Sequence, residues 1–283
     1  MSFVQRQINV QFSNSQGTLN LEGYRATCVV SVLGGYNSGS QLQMRIFGMS
    51  ISEMNEFSSA GSNQVLATPN VVTVSAGDAG GVISQIFQGT MIKSYIDFSG
   101  IPEVSFIVSA VSGYYERSSS AAPNSWKGAQ NAQDIIQSLA QSIGFAFENK
   151  NNAQGIVQNQ YTSGSVIQQM EAVARAAALP MVIENGKVIL FPNDGARDDV
   201  VINVSADNGL VGYPTYWEAG FQITTEFNPL IVNGRMINLT TIIPKANGLW
   251  PVHVSTHELS TLTPNGSWFT TAKLSPSNYV PNN

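Results

Sequence analysis

Two histidines four residues apart are the first candidates for chemistry in this chain. His253 and His257, the latter followed by Glu258, have the spacing that places two imidazoles on one face of a helix in zinc peptidases. The local sequence Val-His-Val-Ser-Thr favours a strand instead, and four residues of strand span about 13 Å, too far for one ion. The glutamate also follows the second histidine, not the first. We therefore expect hydrogen-bonded histidines near a sheet surface and no metal site.

An acidic cluster near residue 195 is the second candidate. Asp194, Asp198 and Asp199 lie within seven residues of one another. A calcium loop of the helix-loop-helix kind needs oxygen ligands at alternate positions, a central glycine and a closing glutamate. The spacing here does not provide them, so the cluster predicts a solvated turn.

Nucleophilic and phosphate-binding motifs are also missing from the sequence. It contains no G-x-S-x-G elbow, and Cys28, the single cysteine, lies in Thr-Cys-Val-Val, which predicts a buried strand. The glycine-rich stretch 76–81 precedes a strand and lacks the lysine and helix of a phosphate loop, so it predicts a tight connection. The scattered carboxylates single out no pair for glycoside cleavage. We expect no catalytic, cofactor-binding or metal-ligating residues, no cofactor and no enzymatic activity.

Composition indicates a folded protein with an unusually neutral surface. The 283 residues are 43% hydrophobic and only 11% charged, against about 25% charged in an average soluble protein. A net charge of -5 argues against specific nucleic-acid binding, which needs clustered Lys and Arg. The longest apolar stretch, near 176–183, is interrupted by Pro180, so we expect no membrane span. The N-terminus lacks a signal-peptide core, so we expect no secretory export, and a single cysteine fits synthesis in a reducing cytoplasm.

The first 115 residues predict strands with one short helix. Apolar residues alternate at Ile8, Val10 and Phe12, and again through 42–46, which is typical of half-buried strands. Further strands are predicted at 71–74, 83–87, 91–98 and 104–108. Ser50 to Glu53 form a capping box, with Ile51, Met54 and Phe57 expected on one helical face.

The pattern changes to helical spacing between 116 and 200. Residues 117–133 predict a linker, and 135–143 and 166–177 predict helices that end at Gly144 and before Pro180. Residues 181–191 predict a hairpin, because Asn185-Gly186 accepts the positive φ angles of a type I′ turn. This block is therefore a small α/β module.

The remaining residues return to β patterns. Strands are predicted at 220–226, 230–232, 236–243 and 252–256, with Asn-Gly turns between some of them. The expected fold is thus mainly β with an α/β insert. Two β domains, 1–115 and 201–283, flank a linker and α/β domain at 116–200.

Short stretches across the chain resemble baseplate hub proteins of tailed bacteriophages. In the last third these are 209–215, 227–231, 247–250, 257–260 and 264–271, and in the first part 42–57 and 87–92. Their order and spacing make the set more specific than any single piece. One departure is Pro-Asn-Gly-Ser-Trp at 264–268, where the family often has Pro-Gly-Gly-Pro-Trp, but Asn-Gly keeps the turn chemistry.

The resemblance implies a structural virion protein of the tail baseplate. It implies that the β regions 1–115 and 201–283 are β-barrel-like domains. It also implies a homotrimer in which these two domains of each subunit form a ring, adapting the sixfold tail tube to a trimeric central spike. The implied partners are the tail tube protein, the central spike protein and other baseplate proteins, with genome DNA passing through the lumen. A low-charge acidic lumen would let the DNA pass without adhering, because adhesion depends on attraction to phosphates.

Two alternatives remain open from the sequence. A cell-wall hydrolase at the tail tip would lose activity on replacement of one or two carboxylates. A glycan- or receptor-binding β module would expose aromatic side chains in a shallow groove.

Overall fold

A computed structural model of the chain describes residues 5–32, 39–59, 69–193 and 196–276. The first part contains seven strands and two short helices. They are β1 (Arg6–Ser13), β2 (Thr18–Leu21), β3 (Arg25–Val32), β4 (Ser40–Phe47), α1 (Ile51–Glu56), β5 (Val71–Asp78), β6 (Ser84–Asp97), β7 (Ser105–Val111) and α2 (Tyr114–Ser118).

The middle part contains two longer helices and short strands. In order these are β8 (Asn124–Ser125), β9 (Ala129–Asn131), α3 (Ala132–Ser142), β10 (Ala146–Asn149), β11 (Ile156–Gln158), β12 (Tyr161–Thr162), α4 (Val166–Ala176), β13 (Met181–Glu184) and β14 (Lys187–Leu190). The last part is β15 (Val201–Val204), β16 (Leu210–Trp217), β17 (Gly220–Glu226), β18 (Met236–Leu239), β19 (Gly248–Thr261) and β20 (Trp268–Leu274). Among the described helices none is long and apolar enough to cross a membrane.

One sheet of 13 strands unites the first and last parts of the chain. Its main path is β16-β17-β20-β19-β3-β4-β7-β6-β5-β1-β2, and β15 and β18 branch from the early half of β19. Antiparallel pairing of β19 with β3, with Leu259 opposite Cys28, is the join between the two β regions. The mainly β class predicted from the sequence is confirmed.

The sheet curls around the first of three main hydrophobic clusters without closing. Phe12, Phe57 and Phe106 are fully buried there, with ring centroids 5.3 and 5.9 Å from Phe12. The curl brings β1 back towards the β19–β20 turn, where Arg6 donates to the carbonyl of Gly266 at 3.2 Å. The shape is barrel-like, but the described strands do not hydrogen-bond into a closed ring.

Strand β6 corrects one expectation. The sequence predicts two strands at 83–87 and 91–98, but a single 14-residue strand runs through both. Gly89 lies in the middle of this strand. A larger residue would not fit at this position, because its Cβ would be 2.7 Å from the backbone of Val111. The glycine therefore allows close strand approach and does not mark a turn.

Helix α1 confirms the predicted capping box. The Ser50 hydroxyl accepts from the Glu53 amide at 3.2 Å, and the Glu53 carboxylate accepts from the Ser50 amide at 2.8 Å. Met54 and Phe57 are buried, whereas Ile51, which spacing places on the same helical face, is exposed. At the first helical position its side chain points beyond the core.

The insert has its own core beneath α3 and α4. Both predicted helices are confirmed; α4 lies within 166–177, whereas α3 begins at Ala132, before the predicted start at 135, and Gly144 adopts φ +76 after it. The 181–191 hairpin is confirmed, with Asn185 at φ 51 and Gly186 at φ 72. The predicted linker 117–133 is more ordered than expected, because β8 and β9 within it pair with β12 and β11.

The last part departs from its predicted strands at two places. Residues 230–232 form a turn and not a strand, because Pro229 interrupts pairing and the Asn228 side chain accepts from the Leu230 amide at 2.9 Å. The predicted strand 236–243 ends at Leu239, before the short helix Pro244–Ala246. A third cluster of buried residues, including Ile223, Ile237 and Leu274, fills this region.

The insert packs against both β regions at one end of the sheet. Val32 at the end of β3 packs with Val182, Ile189 and Phe191 of the insert. Gly234 comes so close to the Phe191 ring that a Cβ there would lie 2.7 Å from it. A buried ion pair between Arg197 and Glu184 ties the same junction together.

Candidate assembly surface

The side of the sheet that faces away from the first core is a broad exposed surface. Strand alternation places every second residue of β6, β7, β4, β3, β19, β20 and β17 on this side. We call it the open face, and it consists of Lys93, Tyr95, Ile107, Ser109, Gln43, Arg45, Thr27, Val29, Glu258, Ser260, Phe269, Thr271, Thr224 and Glu226. Six of these side chains carry only a hydroxyl or an amide, two are basic, two are acidic, and Tyr95, Ile107, Val29 and Phe269 are aromatic or aliphatic.

Strand register aligns one row of residues straight across the open face. Ser109 lies opposite Gln43, Gln43 opposite Val29, Val29 opposite Glu258, and Glu258 opposite Phe269. The row crosses from the first β region to the last without a gap. The open face is therefore one surface built by both β regions.

A shallow groove of about 400 Å³ lies in the centre of the open face. Its charged lining residues are Arg45 and Glu258, and Arg45 is paired with Asp97 at 3.1 Å. Thr27, Gln43 and Ser109 contribute hydroxyl and amide groups. These residues offer separate hydrogen-bonding groups along the groove. Arg45 and Glu258 do not form an acid–base pair there, because Arg45 is paired with Asp97.

Ion pairs fix the loops at one border of this face. Arg25 makes two hydrogen bonds to the Glu103 carboxylate, at 3.0 and 2.8 Å, and lies 3.9 Å from the centre of the Phe47 ring. The hydrogen bonds and charge of Arg25 lower the pKa of Glu103. Hydrogen bonds from Ser99, with a smaller contribution from Arg45, likewise lower the pKa of Asp97.

The two histidines lie on β19, as the strand prediction requires. His257 Nδ1 is 2.9 Å from the Thr270 hydroxyl, and burial lowers the pKa of His257 to about 4. His257 is fully enclosed, so its predicted position near the surface is wrong. His253 stacks on Trp217 at 6.1 Å, and burial, with Lys273 nearby, lowers its pKa.

The aspartates do not converge on a common point. Asp194 lies outside the described residues, and Asp199 is exposed. The Asp198 carboxylate accepts a hydrogen bond from Arg235 Nε at 2.9 Å. Burial raises the pKa of Asp198, but the hydrogen bonds and charge of Arg235 outweigh this effect and lower the pKa overall. Within the described ranges no three His, Cys, Asp or Glu side chains could hold one metal ion.

Cys28 confirms the predicted buried strand position. It lies in β3 with its side chain in the first core, and burial raises the pKa of its thiol to about 12. The predicted tight connection at 76–81 is also confirmed, because β5 ends at Asp78 and a turn follows.

One end of the sheet is an unpaired strand edge. Strand β16 hydrogen-bonds to β17 on one side, and in the described structure its other side has no strand partner. It exposes Val211, Tyr213 and Tyr216, while Gly212 at φ +71 and Pro214 interrupt its regularity.

Neither this strand edge nor the open face was predicted from the sequence. The alternation of Gln41, Gln43 and Arg45 with buried neighbours is the signal that could have located the face.

A continuous sheet with a broad exposed face and an unpaired strand edge is typical of a protein that assembles with other subunits. The chain belongs to the baseplate hub gp41 family, whose profile matches residues 15–264. This confirms the resemblance noted in the sequence and gives the protein a structural role in the phage tail. A search of curated proteins finds no match.

Solved tail proteins share the fold at very low sequence identity. The prophage MuSo2 43 kDa tail protein from Shewanella oneidensis is 6% identical with a TM-score of 0.61, and the alignment covers 95% of this chain and 98% of that chain. A tail protein from Neisseria meningitidis MC58 is 10% identical with a TM-score of 0.62, covering 97% and 99%. The E. coli c3393 protein, a type VI secretion component described as similar to T4 gp27 and gp5, is 10% identical with a TM-score of 0.62, covering 96% and 79%.

Proposed function

We propose that three copies of this chain close into a homotrimeric ring that adapts the sixfold tail tube to a trimeric central spike. The observation that carries the proposal is the continuous open face, to which both β regions contribute. Two β regions per subunit give six wall segments in a trimer. Such a ring can match six subunits on one side and three on the other.

The two unlike ends of the sheet support a closed ring. A ring of identical subunits uses heterologous contacts, in which one patch of a subunit binds a different patch of the next. The sheet offers the exposed edge of β16 at one end and the β6–β5–β1–β2 strands at the other. The domains of the ring are then 1–115 and 201–283, with 116–200 packed outside or beneath it.

The open face is suited to line the lumen of this ring. Its charged side chains, Lys93 and Arg45 against Glu226 and Glu258, balance in sign and give little net attraction to phosphates, and the chain carries a net charge of -5. Genome DNA would pass such a wall without being retained. The ring has no enzymatic role, and it is made in the host cytoplasm before joining the virion baseplate.

Light scattering on the purified protein tests the proposal. A mass of three times 30.3 kDa, followed by complex formation with the central spike protein of the same phage, is the expected result. A monomer that stays monomeric at high concentration and in the presence of spike would contradict it. Retention of duplex DNA by the assembled ring at physiological salt would contradict the lumen assignment alone.

A further inference from the structure

The end of the sheet opposite the insert carries a cluster of exposed apolar loop residues. Arg25 at the start of β3 pairs with Phe47 at the end of β4, Phe47 pairs with Ser105 at the start of β7, and Ser105 pairs with Asp97. On the other side of β3, Ala26 pairs with Thr261. The loops that begin or end at these residues therefore all lie at the same end of the sheet.

We call this surface the loop end, and it comprises residues 22–25, 47–53, 78–83, 97–104 and 262–267. Segment 78–83 belongs to it because Asp78 pairs with Arg6, which reaches Gly266. Five large apolar side chains there are between 49% and 85% exposed, namely Ile51, Val82, Phe98, Ile101 and Leu262. Single exposed apolar residues are common, but a group of five at one end of a domain indicates a contact surface.

The loops that present these side chains are held in place. The Glu103 amide donates to the Gly100 carbonyl at 2.7 Å, and the Glu103 carboxylate is bound by Arg25. The Ser99 amide donates to Asp97 at 2.9 Å. Phe98 and Ile101 are therefore displayed on a loop that needs little further ordering on binding, and this reduces the entropic cost of association.

Charge defines the partner further. The loop end contains the acidic residues Glu22, Glu53, Asp78, Asp97 and Glu103 against one basic residue, Arg25. Arg25 is already paired with Glu103. The complementary surface is a protein with apolar sockets bordered by Lys or Arg.

We propose that the loop end is the surface on which a ring of the tail tube protein stacks, through apolar sockets with a basic border. This rests on the proposed ring function. The connections β2–β3, β5–β6, β6–β7 and β19–β20 are short at this end, so a second hollow ring can continue the channel directly. At the opposite end Val32 packs against Val182, Ile189 and Phe191 of the insert.

Binding of the purified hub to recombinant tube protein from the same phage tests this assignment. We expect the double substitution Val82→Ser, Phe98→Ser to weaken binding at least about tenfold, because two apolar anchors are removed from the contact. The matched control is Ile242→Ser, Ile156→Ser, since these side chains are 78% and 70% exposed but lie outside the loop end. Raising the salt concentration from about 50 to about 500 mM should also weaken binding severalfold.

The outcomes separate this assignment from the ring proposal. A trimeric variant with weakened tube binding supports the loop end, and light scattering on both variants supplies that check. Equal tube binding by both variants overturns it while leaving the ring intact. The assignment is also overturned if Val82→Ser, Phe98→Ser loses binding to the spike protein but keeps binding to the tube protein. The loop end would then be the surface that binds the spike. A wild-type chain that forms no ring contradicts the proposed function itself.

Discussion

Val29 of β3 lies directly opposite Glu258 of β19, although 229 residues of sequence separate them. The two side chains face solvent on the open face, while their neighbours Cys28 and Leu259 face the first core. One strand pair thus builds an exposed wall on one side and a hydrophobic core on the other. The join between the β regions is accordingly part of the fold and not a flexible contact.

Leu259→Ala should destabilise this join strongly. Leu259 is 1% exposed and packs in the core shared by both β regions. Removing a buried leucine side chain costs about 2–5 kcal/mol of unfolding free energy. Urea denaturation measures the loss, and Glu258→Gln on the exposed side of the same strand should change stability by less than about 0.5 kcal/mol. Equal effects of the two substitutions would mean that the join is not a packed core.

Breaking the Arg197–Glu184 pair should destabilise the junction of the insert. Both side chains are largely buried, so Arg197→Met leaves an uncompensated carboxylate and should cost about 3–5 kcal/mol. The double substitution Arg197→Met, Glu184→Gln should recover much of that loss, because no unpaired charge remains. Denaturation of the four proteins gives the coupling energy. A double variant as unstable as the sum of the singles would contradict direct coupling.

His257 should make stability fall as the solution becomes acidic. Its folded-state pKa of about 4 lies below the ordinary value of 6.5, so the unfolded chain binds a proton first. The stability contributed by neutral His257 is complete above about pH 6.5 and is lost as pH falls towards 4. By linkage the loss is about 3 kcal/mol.

His257→Gln provides the comparison for this pH effect. Glutamine keeps a hydrogen-bonding group near Thr270 but does not titrate. The unfolding free energy should therefore fall more steeply between pH 7 and pH 4 for the wild type than for His257→Gln. Parallel curves would indicate that His257 is protonated as easily in the folded protein as in the unfolded chain.

Local sequence patterns predicted most elements but not their assembly. The capping box at Ser50, the Asn185-Gly186 turn and the α3 and α4 stripes depend on neighbouring residues, so spacing alone located them. The break predicted between strands 83–87 and 91–98 was wrong because the close approach of Gly89 to Val111 depends on a distant strand, and the exposure of Ile51 depends on where the core ends.

The open face could not be predicted for a related reason. It depends on the pairing of β3 with β19, and no local pattern specifies which distant strands become neighbours. The alternation of apolar residues gave the buried faces of β1 and β4 correctly. The surface formed by all of them together required the register across the sheet.

Tyr216→Lys should weaken the proposed trimer. Tyr216 is 70% exposed on β16, and a lysine on an edge strand opposes pairing with another chain because its charge must be desolvated. Light scattering across a dilution series should show dissociation at concentrations at least about tenfold higher than for the wild type. Tyr161→Lys is the matched control, because Tyr161 is 64% exposed but lies in the insert. Unchanged trimers for Tyr216→Lys, or dissociation only for Tyr161→Lys, would remove β16 from the subunit contact.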